Sequence, residues 1–474
     1  DGLLDLVAIN AGMANHFYRQ LPGGTFVETS SAWGLVPDNR QHWAGLLADF
    51  DNDGDDDVYV ATGGFMFSET NQLLRNDLAT TGTLTDVSAQ SGDADDSSQN
   101  FGATTQDFDN DGDLDIFMTT NNASSANRLI SNEGGLSFKD VSSFVGITHS
   151  GMFMHTSSGD FDSDGWPDVG AGGYLGPNVI YKNKGNGTFF EVSGLMGADS
   201  PVHNFGVVFE DFDNDGLLDL FLPKYNGTLP ADEPTELYLN DGISSFVKVP
   251  TSIGLTAQTD MGHNTGDLDG DGYPDVYIGT GNPAFESLDV LLLVTPDPIT
   301  GLAVQDVSAA SGVTAGGTTR CHGMAIGDYD GDGMVDVFVN NGGPSHDPSS
   351  LEEHFLLKAA DNGTTWAGFE LEGVLSNRSA VGAHLIGVTD TGRAIHRRRA
   401  VGMGFGNTNS PILHLGMGTD SALATAQIRW PSGVVQTLVA PATGQVHQVT
   451  ETGMLLDGQP VEGATLDLEL CGPG

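Results

Sequence analysis

The chain has 474 residues, enough for two ordinary domains, and 38% of them are hydrophobic. Its 64 acidic and 17 basic residues give a formal net charge of −47, which repels nucleic acid and anionic lipid and so excludes both as natural partners. The 66 glycines favour tight turns and short strands over long helices. No apolar run is long enough to predict a membrane-spanning segment.

The chain start and the cysteines bear on the compartment. The sequence opens at Asp1-Gly2 without a signal peptide, as a processed or trimmed protein would. Cys321 and Cys471 leave two alternatives open. Either one disulfide ties the C-terminal tail to the main body in an oxidising compartment, or both are unrelated free thiols.

An Asp-rich nonapeptide of the form Asp-x-Asp-x-Asp-Gly-x-x-Asp recurs six times along the chain. The copies are residues 49–57, 107–115, 160–168, 211–219, 267–275 and 328–336, and a seventh copy, cut by the chain start, leaves Asp1 and Asp5. Four strand-sized runs with Gly, Asn and Asp between them follow in each interval, which is the content of one propeller blade. The sequence therefore predicts an all-β fold with a seven-bladed β-propeller over residues 1–360, its first blade incomplete.

The nonapeptide predicts a calcium loop. Positions 1, 3, 5 and 9 offer carboxylates, position 7 offers a backbone carbonyl, and Gly at position 6 permits the sharp turn. An EF-hand is excluded because its position 12 Glu is replaced by apolar residues such as Val60 and Met118. We expect about six or seven structural Ca²⁺ ions per chain, because crowded carboxylates repel one another until a cation neutralises them. The predicted metal ligands are Asp1 and Asp5; Asp49, Asp51, Asp53, Asp55 and Asp57; Asp107, Asp109, Asp111, Asp113 and Asp115; Asp160, Asp162, Asp164, Trp166 and Asp168; Asp211, Asp213, Asp215, Leu217 and Asp219; Asp267, Asp269, Asp271, Tyr273 and Asp275; and Asp328, Asp330, Asp332, Met334 and Asp336.

Two sets of motifs carry a family resemblance. Phe101-Gly102-Ala103 and Phe205-Gly206-Val207, just ahead of their loops, resemble the FG-GAP (VCBS, integrin-like) repeat propellers. Further on, the segments 381–383, 402–406, 413–418 and 430–433 resemble the ASPIC/UnbV domain. This order of parts is that of the cartilage acidic protein group and its bacterial relatives. The resemblance implies a secreted or cell-surface calcium-binding protein.

The C-terminal part, residues 365–452, alternates apolar and polar residues around Gly turns and predicts a small β-sandwich, followed by a tail at 453–474. Basic residues concentrate there: Arg378, Arg393, Arg397, Arg398, Arg399 and Arg429. They form either a patch that docks on an acidic surface, including the propeller of the same or a neighbouring molecule, or a solvated strand face. The glycine-rich run 402–406 is interpreted as a hairpin rather than a nucleotide site.

Five histidines lie four to eight residues before the first Asp of a loop: His42, His155, His203, His263 and His322. In a propeller this places them near one end of the innermost strands, where they could converge at the axis on a transition metal or act as acid and base. Their offsets differ, so packing and turn roles are the alternative.

Two functions remain open. The leading hypothesis is a non-enzymatic extracellular binding, adhesion or scaffold protein with an extracellular protein or glycan partner, or with a second copy of itself. The alternative is an enzyme, acting for instance on carbohydrate, with its site at the propeller axis.

Overall fold

A computed structural model gives the fold of most of the chain. It describes residues 2–12, 14–38, 40–64, 68–92, 99–174, 176–200, 203–224, 235–243, 245–255, 262–279, 288–298, 301–316, 321–341, 354–404 and 406–452. Strands dominate these ranges, and the helices are single turns at Ser142–Val145 and Ser308–Ser311, with 3-10 turns at Ser88–Gln90, Thr251–Ile253 and Val313–Gly316. The all-β prediction is confirmed.

The strands of the first part of the chain come in groups of three or four, and each complete loop lies between the first and second strands of its group. They are β1 (Leu6–Ala8), β2 (His16–Leu21), β3 (Thr25–Glu28); β4 (His42–Ala48), β5 (Asp57–Thr62), β6 (Gln72–Asp77), β7 (Thr83–Asp86); β8 (Asn100–Gln106), β9 (Asp115–Ala126), β10 (Arg128–Asn132), β11 (Phe138–Asp140); β12 (Ser150–Gly159), β13 (Asp168–Gly173), β14 (Val179–Asn183), β15 (Phe189–Glu191); β16 (Val208–Glu210), β17 (Asp219–Leu222), β18 (Glu236–Asn240), β19 (Phe246–Lys248); β20 (Gly262–Gly266), β21 (Asp275–Gly279), β22 (Val290–Asp297), β23 (Gly301–Asp306); and β24 (Cys321–Gly327), β25 (Asp336–Asn341), β26 (Phe355–Leu357).

Each group is an antiparallel meander in which sequence neighbours pair, as in β4-β5-β6-β7. Adjacent groups pack face to face, and the first and last groups meet where Leu6 and Ala8 pack against Tyr329 and Phe338, which closes the ring. Closure leaves no long open sheet edge. Because β9 also pairs with β12 and joins two groups into one eight-stranded sheet, the count of seven blades stays a prediction.

Burial explains why the loops sit where they do. The second strand of a group starts at position 9 of its loop and is covered on both faces by neighbouring sheets; every residue of β5 is buried, for example. The residue at position 2 of the loop points into the same core, and Phe50, Phe108, Phe161 and Phe212 are all 0–1% exposed. The apolar position 2 thus anchors a loop whose other side chains are acidic.

Neighbouring groups are also joined by asparagines at the ends of their third strands, of which Asn132 and Asn183 are buried and Asn240 is half-buried. The amide Nδ2 of Asn132, Asn183 and Asn240 donates to the carbonyl at position 2 of the preceding loop, at 2.9, 2.9 and 2.7 Å. A buried carbonyl without a partner costs free energy, so these bonds fix the spacing of adjacent sheets at the loop end.

The C-terminal part contains β27 (Trp366–Glu372), β28 (His384–Thr389), β29 (Ala394–Arg398), β30 (Ile412–Gly416), β31 (Leu423–Arg429), β32 (Val435–Val439) and β33 (Val446–Thr450). They form the sheets β30-β27-β33 and β29-β28-β31-β32, with β27 and β33 parallel. Phe369, Leu385, Ile395 and Leu415 lie in the core between them. The predicted boundaries at 360, 365 and 452 stay predictions.

Residues 400–411 leave this sandwich and enter the ring of strand groups. Val401 bridges to Thr105 on β8, the carbonyl of Gly404 accepts from the Thr156 N–H on β12 at 3.3 Å, and Ser410 N–H donates to the Ile326 carbonyl on β24 at 2.9 Å. These partners all lie on the first strand of their group, so the segment runs along the axis of the ring. Met403 and Asn407 form an antiparallel bridge at the glycine-rich run, and residue 405 lies outside the described residues.

Two further findings concern the compartment and the membrane. Cys321 is buried, and Cys471 lies outside the described residues, so both alternatives for the two cysteines stay open. In the ranges given above, no helix has the length and apolarity needed to cross a bilayer.

Met403 tests whether the inserted segment is part of the propeller core. Its side chain is 6% exposed and packs in a cluster otherwise made of propeller residues and Ala400. We expect Met403→Ala to lower the free energy of unfolding by about 2–5 kcal/mol, because it opens a cavity, as measured by urea denaturation. Val439→Ala, at a residue 79% exposed, is the control and should change it by less than about 0.5 kcal/mol. Equal effects of the two substitutions would contradict the insertion.

Candidate metal-binding loops

The six complete loops share one hydrogen-bond pattern around the first Asp. Its Oδ2 accepts the N–H of the Gly at position 6 in every loop, at 2.7–3.1 Å. In five loops its Oδ1 also accepts the N–H at position 5, at 3.0–3.1 Å. The carboxylate at position 1 therefore folds the loop back on itself.

The last Asp fastens the loop to its own sheet. At position 9, Oδ2 accepts the N–H of position 2 at 2.8–3.2 Å. Its Oδ1 accepts a main-chain N–H at or just beyond the third strand of the group, at 2.8–2.9 Å. Position 9 is thus a structural staple in all six loops, in addition to the ligand role that the sequence predicts for it.

The turn needs two residues in the left-handed backbone region. Position 6 is Gly with φ of 88–105°, and position 4 has φ of 56–74°. Asn and Gly tolerate that region, and position 4 is Asn in three loops, Gly in two and Ser163 in one. The sequence predicts the turn at the position 6 Gly. The left-handed backbone at position 4 was not predicted, although Asn recurs at that position in three loops.

The loops leave carboxylate oxygens close together. In five of them, three carboxylates each place one oxygen within 4.8 Å of the others: Asp49, Asp51 and Asp53; Asp107, Asp109 and Asp115; Asp160, Asp162 and Asp168; Asp211, Asp213 and Asp215; and Asp267, Asp269 and Asp271. Asp51 Oδ1 and Asp267 Oδ1 are buried and have no hydrogen-bond partner among the residues that the structure describes. Oxygen-only donors in this number suit a hard cation such as Ca²⁺, and a buried carboxylate oxygen without a partner needs one.

In two loops a lysine side chain lies against these carboxylate oxygens. Lys182 Nζ contacts Asp162 and lies 3.0 Å from Asp164, and Lys358 Nζ contacts Asp330 and lies 3.0 Å from Asp332. An ammonium group here partly neutralises the cluster. Arg397 does the same in the fifth loop, with Nη2 3.0 Å from Asp267 Oδ2.

Crowding and burial show in the acidities. Burial, followed by the charge of neighbouring carboxylates in each loop, raises the pKa of Asp57 to about 8 and the pKa of Asp219 to about 9. The pKa values of Asp107 and Asp211 rise to about 7, again mainly through burial. A carboxylate that is this costly to ionise is stabilised by a cation more than an exposed one is.

The C-terminal arginines reach the loop face of the propeller. Arg393 Nη1 donates to the Asp271 carbonyl at 2.6 Å, and Arg398 Nη2 donates to the Gly216 carbonyl at 2.7 Å. The Arg378 N–H donates to Asn52 Oδ1 at 2.9 Å, and Arg399 is 4% exposed. The predicted patch therefore contacts the propeller of its own chain; Arg429 instead bonds Gln427 within its strand.

Two predicted ligands belong to the truncated copy. Asp1 lies outside the described residues. Asp5 Oδ1 accepts the Gln20 N–H at 2.8 Å and so caps the first group of strands.

Of the four predicted histidines whose side chains the structure describes, His155 and His263 lie together. The rings of His155 and His263 are 4.9 Å apart, His42 Nε2 lies 2.6 Å from Asp38 Oδ1, and His203 lies 6.4 Å from the Tyr174 ring. The side chain of His322 lies outside the described part of the chain. Asn407 Nδ2 donates to the His263 carbonyl at 3.3 Å, so the inserted segment lies beside the pair.

The FG-GAP-like repeat family matches residues 1–60, 107–171 and 160–222, and the ASPIC and UnbV family matches residues 373–454. The chain therefore contains FG-GAP-like repeats followed by an ASPIC/UnbV domain, as its motifs predict.

It is homologous to cartilage acidic protein 1. It is 26% identical to the Mus musculus protein over 72% of this chain and 51% of that one, and 26% identical to the Homo sapiens protein over 67% and 46%. The chain spans about half the length of these relatives. Among solved structures, YCF48 from Cyanidioschyzon merolae aligns with a TM-score of 0.37 and 10% identity over 75% of this chain and 96% of that one, a likeness too low to bear on function.

Gly112 isolates the backbone requirement of position 6. Its φ is 97°, and a Cβ there would meet no atom within 4 Å, so Gly112→Ala adds strain without a clash. We expect a loss of about 1–2 kcal/mol in the free energy of unfolding, measured by urea denaturation in excess Ca²⁺. Gly176→Ala is the matched control, since a Cβ there also meets nothing and its φ is not left-handed. No difference between the two would contradict the turn.

Proposed function

We propose that this chain is a calcium-stabilised extracellular propeller that acts as a binding or scaffold protein. The observation that carries the proposal is the repeated loop geometry, in which oxygens of the carboxylates at positions 1 and 3 converge within 4.8 Å with one from position 5 or position 9. These triplets contain no His or Cys, so Ca²⁺ fits them better than Zn²⁺ or Cu²⁺. Six complete loops support about six ions per chain, with the truncated copy as a seventh candidate.

Calcium here serves the fold. Each loop joins the first strand of its group to the second, and its position 9 Asp fixes it to the third strand. A cation that binds the folded loop and not the unfolded chain adds its binding free energy to stability. Extracellular calcium is abundant enough to fill sites of modest affinity, which supports placement outside the cell.

The chain segment that occupies the axis of the ring favours a binding function over a catalytic one. Residues 401–410 run along it and bond to the inner strands, so the space beside His155 and His263 is taken by the chain itself. The outer surface, with its net negative charge, suits basic protein or glycan partners. Because Arg393, Arg397 and Arg398 are engaged within the chain, self-association through that patch is the weaker alternative.

Chelation tests the structural role of calcium. We expect about six Ca²⁺ per chain by mass spectrometry, and a fall in Tm of more than about 10 °C when a chelator removes them, because several linked sites contribute to stability.

Asp109→Asn should lower the calcium count by one, since Asp109 belongs to a converging triplet. Asp199→Asn removes the same charge at an exposed residue outside the loops and should leave the count unchanged. The proposal would be overturned if the chain held no calcium, or if its Tm were unchanged when the chelator is added.

The binding role is tested on the calcium-loaded full chain. We expect it to bind a subset of immobilised extracellular proteins or glycans, and to lose that binding on chelation, because the loops shape the surface. Biolayer interferometry with calcium restored is the control. Hydrolysis or elimination of a glycan by the wild type, lost in His155→Ala, would instead support the enzyme alternative.

A further inference from the structure

The loops are linked to one another through the residue at position 4. Where that residue is Asn, its Nδ2 donates to the carbonyl of the position 6 Gly in the next loop. Asn52 reaches Gly112 at 3.3 Å, Asn110 reaches Gly165 at 3.1 Å, and Asn214 reaches Gly272 at 2.7 Å. The second, third and fifth loops thus receive a bond from the loop before them.

The fourth and sixth loops follow loops that have no Asn at position 4. The preceding residues are Ser163 and Gly270, neither of which has a side-chain amide. At these two places the donor comes from the C-terminal domain. Arg398 Nη2 donates to the Gly216 carbonyl at 2.7 Å, and His414 Nε2 lies 2.9 Å from the Gly333 carbonyl as its donor.

The peptide that contains the position 6 carbonyl also contains the N–H of position 7, and this N–H bonds the carboxylate at position 5. The N–H of Leu217, in the same peptide as the Gly216 carbonyl, donates to Asp215 Oδ1 at 2.8 Å. The N–H of Met334 likewise donates to Asp332 Oδ1 at 2.9 Å. Because a peptide is planar, holding its carbonyl fixes the direction of its N–H and so of the carboxylate at position 5. Hydrogen bonds at both ends of one peptide also polarise each other.

Other contacts hold the C-terminal donors in place. The His396 N–H donates to Asn214 Oδ1 at 3.0 Å, two residues from Arg398 and at position 4 of the same fourth loop. The Gly416 N–H donates to Asp267 Oδ2 at 3.1 Å, two residues from His414. Main-chain bonds on neighbouring residues therefore aim both side chains at their carbonyls.

We propose that Arg398 and His414 are positioning residues for metal binding, which complete the fourth and sixth loops as Asn110 completes the third. The inference rests on the proposed calcium loading of the loops. It makes the docked C-terminal domain a condition for full loading of two loops, whereas in the second, third and fifth loops an Asn of the propeller itself bonds the position 6 carbonyl.

The test is hydrogen exchange of the full chain, followed loop by loop by mass spectrometry over a series of free calcium concentrations. In Arg398→Met/His414→Leu we expect the calcium midpoint for protection of loops 211–219 and 328–336 to rise roughly tenfold, the effect of losing one charge-assisted or buried hydrogen bond each. Loop 107–115 should keep its midpoint, which also shows that the variant is folded. Arg398→Lys/His414→Gln, which keeps a donor at each place, should restore most of the protection.

Asn110→Gly is the matched control, because it removes the same kind of bond within the propeller and keeps a residue that tolerates the left-handed backbone of position 4. It should shift loop 160–168 and leave 211–219 and 328–336 unchanged. A double variant that shifts every loop equally, or none, overturns the inference and leaves the calcium proposal standing. A wild type whose loops show no calcium-dependent protection overturns both.

Discussion

Mutual repulsion among carboxylates confined to nine residues is the constraint on which the rest of the molecule depends. Five of the six loops meet it by folding position 1 onto two of their own N–H groups, and five bring three carboxylate oxygens close together. That shape needs left-handed backbone at positions 4 and 6 and an apolar anchor at position 2. Because position 9 is bonded to the third strand, and position 2 to the Asn of the next group, a loop is also the joint between sheets.

The acidic loop face then determines how the C-terminal domain is attached. Most surface ion pairs contribute about 0–1 kcal/mol, but the Arg397–Asp267 pair has side chains only 11% and 1% exposed. Breaking such a pair from one side costs about 3–5 kcal/mol, because a buried charge is left without its partner. Together with the segment at the axis, this makes the two parts of the chain one structural unit rather than two domains on a linker.

Local patterns were enough to predict the loops, the short strands and the all-β fold. The spacing of residues within nine positions specifies a loop, and the alternation of apolar and polar residues over five to seven positions specifies a strand. They were not enough for contacts between distant segments. Nothing near the glycine-rich run 402–406 indicates that it enters the propeller axis. The histidines could not be placed either: β4 and β12 carry register shifts near His42 and His155, while β20, with His263, has none. A bulge changes which face a side chain takes, so distance from a loop does not fix direction.

The irregular copies of the repeat are where the second domain fits. At Gly270 a Cβ would come within 2.5 Å of Thr364 Oγ1, and at Gly416 a Cβ would come within 2.3 Å of Asp267 Oδ2. Three other loops have Asn at this position. An Asn at 270 would therefore push the C-terminal domain away and remove the 2.8 Å bond from the Gly418 N–H to the Gly270 carbonyl. Gly270 has no side-chain amide to bond the carbonyl of Gly333 in the next loop. Its small size lets the C-terminal domain pack there, and His414 of that domain bonds the Gly333 carbonyl instead. Departures from a repeat thus carry structural information that the consensus lacks.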